Sequence, residues 1–188
     1  SLDARYDQII CDGYQAAVTA INHLIQLGHR KIAYIGETER ENRYRGYLDA
    51  LSAENITVYK GYVSNVTLSS EGGYLGAKKL LEQNCDATAY FCPNDMTAIG
   101  AMRAIQEAGY SIPGDISIIS IDDIETAQYL NPMLTTVHIP IEEMGQMAAK
   151  TLIDRIEGGH SLPMKINLPF YIANRESCGP AHPLRQRE

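Results

Sequence analysis

Two polar residues, Asn94 and Asp122, stand just past the ends of two apolar runs, residues 89–92 and 116–121. Asp122 supplies a carboxylate able to accept from two neighbouring hydroxyls, and Asn94 an amide with both a donor and an acceptor. Arg43 follows a third run, residues 31–36, near the start of the next amphipathic stretch. Its guanidinium can donate two parallel hydrogen bonds from a fixed plane. A fourth run, residues 61–66, leads into Thr67-Leu68-Ser69, where Leu68 offers apolar surface. One fork-shaped cation, one amide, one carboxylate and one apolar contact suit a polyhydroxylated ligand. Hydrogen bonds to charged groups contribute roughly 1.5–3 kcal/mol each, enough for three such residues to hold a small sugar.

Each of these residues also has a structural role open to it. Asn94 can serve only as a helix N-cap, and Asp122 can cap a helix near Ile124. Arg43, in a run with Arg40 and Arg45, can belong to a solvated helix face. A binding role requires all of them to share one edge of a sheet. That depends on the elements that carry them.

Those elements alternate. Residues 8–11, 31–36, 61–66, 88–92 and 116–121 are strand-like. Between them Ala17, Val18, Ile21, Leu24 and Ile25 recur at helical spacing before a stop at Gly28, and residues 40–54 carry Tyr47, Leu48 and Leu51 on one face. Ser69 or Ser70 can cap a helix running to about Asn84, and Asn94 one closed by Gly109. The run at 116–121 is nearly all β-branched, as in a strand covered on both faces. Strand–helix alternation predicts βαβ units and a parallel sheet with right-handed crossovers, whose strand carboxyl ends form a ligand crevice. After Pro132 the rhythm breaks. Residues 134–140 read as extended and 141–157 as a helix ended by Gly158-Gly159. Residues 164–173 hold one or two short strands, and a loose tail begins at about residue 176.

Composition excludes other classes. The 188 residues are 45% hydrophobic and 21% charged, with net charge −7, so the chain alone is a poor partner for phosphate backbones. No apolar run has the length of a membrane span, and no secretory signal is read at its start. Cys11, Cys85, Cys92 and Cys178 lack disulfide or zinc spacing and read as reduced cytosolic thiols, which predicts a cytoplasmic protein. The sequons at Asn55 and Asn65 are then chance matches. The five histidines show no metal-ligand spacing, and there is no nucleophile elbow or phosphate loop. Asp122 and Asp123 are adjacent and should point opposite ways, a poor acid–base pair. The sequence is therefore read as non-enzymatic and without a cofactor.

Several segments together carry a resemblance: DGYQAA from Asp12 with HLIQLGHRKIAYIG, RYRGYLDAL from Arg43, PNDMTAIGAMRAI, SIPGDISIISIDD, NPMLTTVHIP and FYIANRES. The chain resembles the effector-binding core of the LacI/GalR family of bacterial transcription regulators. The resemblance implies an α/β fold like that of periplasmic sugar-binding proteins, with one complete subdomain plus part of a second. It implies that Arg43, Asn94 and Asp122 bind the effector. Where many members place an aromatic ring on the ligand this chain has Leu68, and where a glutamine often follows Leu-Thr-Thr it has Ile139. The resemblance further implies a cytoplasmic homodimer, a repressor that senses a sugar or sugar derivative. Operator DNA would be bound through a helix-turn-helix headpiece that these residues do not include. Residues 1–27 and 141–160 are expected to be a remnant of the N-terminal subdomain of a truncated chain. Residues 28–136 and 163–175 are expected to form the C-terminal subdomain, and 176–188 a loose tail. Hinges would lie near Gly28, Pro140 and Pro163. Ile99 and Tyr129-Leu130 are candidates for the dimer interface. The alternative is a periplasmic-type sugar-binding protein of a transport system; an α/β enzyme ranks third.

Overall fold

The computed structural model describes residues 6–182. Among the described residues eight strands and five α-helices alternate along most of the length. The strands are β1 (Gln8–Ile10), β2 (Ile32–Gly36), β3 (Val63–Asn65), β4 (Ala89–Phe91), β5 (Ser117–Asp122), β6 (Thr135–His138), β7 (Lys165–Asn167) and β8 (Tyr171–Ala173). The helices are α1 (Gly13–Gln26), α2 (Asn42–Ala53), α3 (Ser70–Glu82), α4 (Asp95–Glu107) and α5 (Ile141–Ile156). Six strands form one sheet in the order β3-β2-β4-β5-β6-β8, and β1 pairs with β7 in a second. Every neighbouring pair from β3 to β6 is parallel. The predicted α/β class is therefore the observed one, and the carboxyl ends of those strands share one edge.

The strand order reverses between β2 and β4. From β2 the chain winds outward to β3, then returns across β2 to lay down β4, β5 and β6. Such a reversal opens a crevice at the carboxyl edge between the two central strands. β2 and β4 are buried along their whole length, as strands covered on both faces should be.

Residues 6–12 and 139–171 form one compact unit and 13–138 with 172–182 another. The sequence reading placed residues 1–27 in the smaller unit; the division instead falls after Asp12. Ala16, Ala17, Ala20, Ile21, Leu24 and Ile25 form one apolar stripe on α1, and that stripe is buried in the larger unit beside α2, β4, β5 and β6. Gly46 sits at the α1–α2 crossing, where a Cβ would lie 2.5 Å from the Tyr14 carbonyl oxygen. Gly28 ends α1 at φ +94°, with the His29 N–H donating to the Leu24 carbonyl at 3.1 Å. Likewise, residues 163–171 were expected in the larger unit, but β7 pairs in parallel with β1 and holds them in the smaller one.

The expected loose tail is also corrected. Ser177 is fully buried; its hydroxyl donates to the Ile118 carbonyl at 2.7 Å and accepts from the Thr135 N–H at 2.8 Å. The Ala181 N–H reaches the Leu27 carbonyl at 2.9 Å. The Gly179 carbonyl lies 3.0 Å from Nε2 of buried His29, whose Nδ1 lies 2.8 Å from the Thr88 hydroxyl. The buried polar groups of Ser117 and His29 need partners, and the tail supplies them. Residues 183–188 lie outside the described residues. A strand expected at 61–66 is shortened, since Lys60–Tyr62 turns as a 3₁₀ helix before β3 begins.

Two glycines set the distance between α3 and α4. A Cβ on Gly73 would lie 1.9 Å from the Thr97 carbonyl oxygen, and one on Gly100 1.8 Å from that of Ser70. Both obstacles are backbone and cannot rotate away. Gly100→Ala should therefore lower the midpoint of urea unfolding by an amount equivalent to roughly 1–3 kcal/mol, the usual overpacking cost. Ala on an exposed helix position would be neutral or better.

Candidate functional site

The switch point gathers the predicted residues around one turn, Pro93-Asn94-Asp95, at the end of β4. Arg43, in the first turn of α2, donates from Nη1 to the Pro93 carbonyl at 2.7 Å. Asn94 caps α4, its Oδ1 accepting from the Thr97 N–H at 2.9 Å, while Nδ2 makes a long 3.5 Å contact with the Leu68 carbonyl. Asp122 ends β5 within electrostatic reach of Arg43 and of Asp95, whose backbone N–H faces its carboxylate. The capping role of Asn94 is thus real and leaves its amide nitrogen available. Asp122 is no cap: the short helix Glu125–Tyr129 begins without a side-chain cap.

Asp95 is the residue that the sequence reading missed. Its carboxylate is fully buried and accepts from the Ser120 and Thr136 hydroxyls, both at 2.6 Å, and from the Ile124 N–H at 2.8 Å. Burial drives its pKa up, and the three hydrogen bonds work against that rise. A signal was available. Ser120 is a hydroxyl in a run that reads as covered on both faces, and a buried hydroxyl requires a partner.

Asp122 and Asp123 have different partners. Asp123 receives Arg175 Nη2 at 2.6 Å and lies 2.9 Å from His138 Nδ1. The Asp122 carboxyl is pushed up to about 6, chiefly by burial and then by the Asp95 charge; Arg43 and the Asp95 N–H pull the other way. Both residues adopt positive φ, +129° and +60°. Few side chains other than those of Asp and Asn tolerate such backbone, and strained conformations collect at functional sites.

Glu41 is a second residue missed. It holds Arg43 from the side, Nε to Oε1 at 2.8 Å and Nη2 to Oε2 at 2.9 Å, and caps α2 by accepting the Arg43 N–H. Burial lowers the Arg43 pKa, and the Glu41 pairing more than offsets it. Arg43 is therefore no solvated helix residue; its side chain is only 22% exposed. Gly13 lies against its stem, where a Cβ would sit 3.4 Å from Cγ. Leu68 is half-buried. A cavity of about 530 Å³ is lined wholly by residues of the smaller unit, among them Tyr6, Asp7 and Thr151. Among the described residues no His, Cys, Asp and Glu cluster could hold a metal, and the four cysteines are unpaired.

A parallel sheet with hydrogen-bonding side chains at its switch point defines a small-ligand-binding α/β domain. Residues 21–178 match the periplasmic binding protein-like domain family. The chain is 41% identical over 155 residues to the ribose operon repressor of Haemophilus influenzae, covering 80% of this chain and 47% of that protein. It is 36% identical to the HTH-type transcriptional repressor PurR of Yersinia enterocolitica, covering 91% of this chain and 51% of that one. A LacI family transcriptional regulator from Enterococcus faecium with bound ribose superposes with a TM-score of 0.89 at 34% identity, covering 97% of this chain and 69% of that one. The transcriptional regulator CelR–cellobiose complex gives 0.86 at 29% identity, covering 93% and 54%. The chain belongs to the periplasmic binding protein-like domain family, in the form that LacI-family regulators carry as their effector-binding core. It spans about half the length of the curated relatives it matches.

Two stability effects of opposite sign follow. Asp95→Ala strands two hydroxyls and one backbone N–H in the interior, and should cost roughly 3–5 kcal/mol by urea denaturation. Asp122→Asn should stabilise the ligand-free protein. The native state holds the Asp122 proton more tightly than the unfolded chain does. Its contribution to stability is therefore fully present below about pH 4 and lost as pH rises through about 6. The Asn variant should unfold later by roughly 1–2 kcal/mol at pH 7.5, and by much less at pH 4.

Proposed function

We propose that the chain is the effector-binding core of a DNA-binding transcriptional repressor that senses a sugar or sugar derivative, with Arg43, Asn94, Asp122 and Leu68 as one wall of its site. The meeting of Arg43, Asn94 and Asp122 around the turn after β4, at the sheet's switch point, carries this reading. The free hydrogen-bonding capacity there is complementary. Arg43 and the Asn94 amide nitrogen donate, and Asp122 accepts. A sugar hydroxyl does both at one atom, so neighbouring hydroxyls can bridge the two kinds of group. Leu68 adds apolar contact for the sugar's C–H face.

Bound effector would favour one arrangement of the domain and so alter operator affinity through differential binding. The whole protein would work in the cytoplasm as a homodimer, with Ile99 of α4 and Tyr129-Leu130 as interface candidates. Tyr129 is 76% exposed, which suits that role. Operator DNA would be engaged by a helix-turn-helix headpiece, since a chain of net charge −7 offers phosphates little. The regulator reading is favoured over a transport-associated binding protein because the similar proteins are named as repressors and regulators. Those names also favour binding over catalysis.

A calorimetric titration with sugars tests the site. Arg43→Gln and Asp122→Asn should each weaken binding about 10- to 100-fold while leaving the circular dichroism spectrum unchanged. In the parent protein affinity should be flat above about pH 7, then fall roughly tenfold per unit below pH 6 as Asp122 takes up its proton. Undiminished binding by both variants would overturn the assignment.

A further inference from the structure

Arg43 already holds an anion, and the chain supplies it. A guanidinium grips a carboxylate or phosphate best through two parallel N–H groups. Here one of its two parallel pairs, Nε with Nη2, is taken by both oxygens of Glu41 at 2.8 and 2.9 Å, and Nη1 also donates to the Pro93 carbonyl at 2.7 Å. Three nitrogens are thus engaged, which leaves at most two of the five N–H groups for a ligand. Glu41 is itself fixed. It accepts the Arg43 backbone N–H at 3.0 Å, which makes it the N-cap of α2, and its side chain is only 14% exposed. The helix end that would otherwise attract an anion is therefore already occupied by a carboxylate.

The surrounding charge has the same sign. Asp122 acts on Arg43 through space, and the buried carboxylate of Asp95 acts on Asp122. Against these two carboxylates and Glu41, Arg43 is the one cation among the described residues that make up this cluster. A ligand phosphate would either displace Glu41 or add a second anion to a guanidinium that Glu41 already neutralises, in an already acidic setting. A hydroxyl would need only the remaining N–H groups.

We propose that Glu41 is a specificity-determining residue that acts as a built-in anion on Arg43, so that the site accepts neutral polyhydroxyl ligands and rejects phosphorylated or acidic ones. This rests on the reading of Arg43 as a ligand-binding residue. Glu41 positions Arg43 and need not touch the ligand. Removing its charge while keeping its shape uncovers the guanidinium.

The test uses inorganic phosphate, so it does not depend on knowing the sugar. Thermal unfolding of the protein is followed from 0 to 10 mM phosphate at pH 7.5, with ionic strength matched by chloride. The parent midpoint should not move. Glu41→Gln should show a saturable rise of several degrees, and the double variant Glu41→Gln/Arg43→Gln should lose it. Glu41→Ser keeps a capping oxygen and serves if the Gln variant folds poorly. In parallel, the preference for D-ribose over D-ribose 5-phosphate should fall at least tenfold in Glu41→Gln. A merely structural Glu41 would lower the midpoint without conferring any response to phosphate. Saturable phosphate binding by the parent protein, or none by both the Gln and Ser variants, would overturn the proposal. Failure of the sugar-sensor reading looks different: no neutral sugar would bind the parent, whatever the phosphate comparison gave.

Discussion

A single buried carboxylate, that of Asp95, holds the candidate site in shape. A carboxylate withdrawn from water is costly unless its lone pairs are satisfied. Here the hydroxyls of Ser120 and Thr136 and the N–H of Ile124 satisfy them, drawn from β5, β6 and the segment that follows β5. Because Asp95 begins α4, one side chain locks a helix start to two strand ends and to the chain that leaves them. The turn at Asp122 and Asp123, with its two positive φ values, lies inside this clamp. Without an anchor on Ile124 that backbone could relax, and Asp122 would lose its aim. The turn that leads into Asp95 carries Asn94 and, through the Pro93 carbonyl, holds Arg43.

Charge is distributed unequally around the clamp. Asp123 is paired with Arg175 and lies against His138. Asp122, its neighbour in sequence, is left in a half-buried place with its pKa raised. Neutralising Asp122 within the fold would have stabilised the chain but consumed the acceptor that a ligand needs. Sites that bind polar ligands commonly retain such a cost, since the binding group must stay unsatisfied until the ligand arrives. Arg43 shows the opposite solution. It is held by Glu41 and Pro93 at full hydrogen-bond strength, so its direction is fixed, and the pairing removes most of its net charge rather than all of its donors.

Much of this was legible in the sequence, for identifiable reasons. Strand ends were marked by the step from apolar runs to Asn94 and Asp122, and helix starts by Ser69 and Asn94, both observed N-caps. Those signals are local, so a linear reading finds them. Asp95 and Glu41 escaped because their roles depend on partners brought together by folding: Asp95 on Ser120 and Thr136 in other elements, Glu41 on the rotamer of Arg43 against Pro93. The division of the chain was misplaced at α1 for a related reason. Its stripe of alanines and aliphatics says that one face is covered, but not that α2 and the central strands cover it. The tail reads as loose because it carries two prolines and several charges. Yet Gly179 serves the buried polar groups of Ser117 and His29, and Ser177 the backbone of Ile118 and Thr135, needs that only the assembled sheet creates. On α5 the converse holds: its apolar spacing is clear, but Leu152, Ile153 and Ile156 are more than half exposed in the described chain.

The wall is preorganised before any ligand is present, and that narrows what can bind. Asn94 cannot swing, because its oxygen is committed to the Thr97 N–H. Arg43 cannot, because two partners hold it, and Asp122 is fixed by backbone that few residues adopt. A ligand at the proposed site would therefore meet donors and an acceptor in fixed directions and need not spend binding free energy on ordering them. The same rigidity penalises a mismatch. An acceptor-only ligand satisfies Arg43 and Asn94 but leaves Asp122 desolvated and unpaired, and buried polar groups left without partners discriminate far more strongly than apolar contacts do. On the proposed site, selectivity would thus follow from the requirement that every fixed group find its complement, which a pair of neighbouring hydroxyls meets.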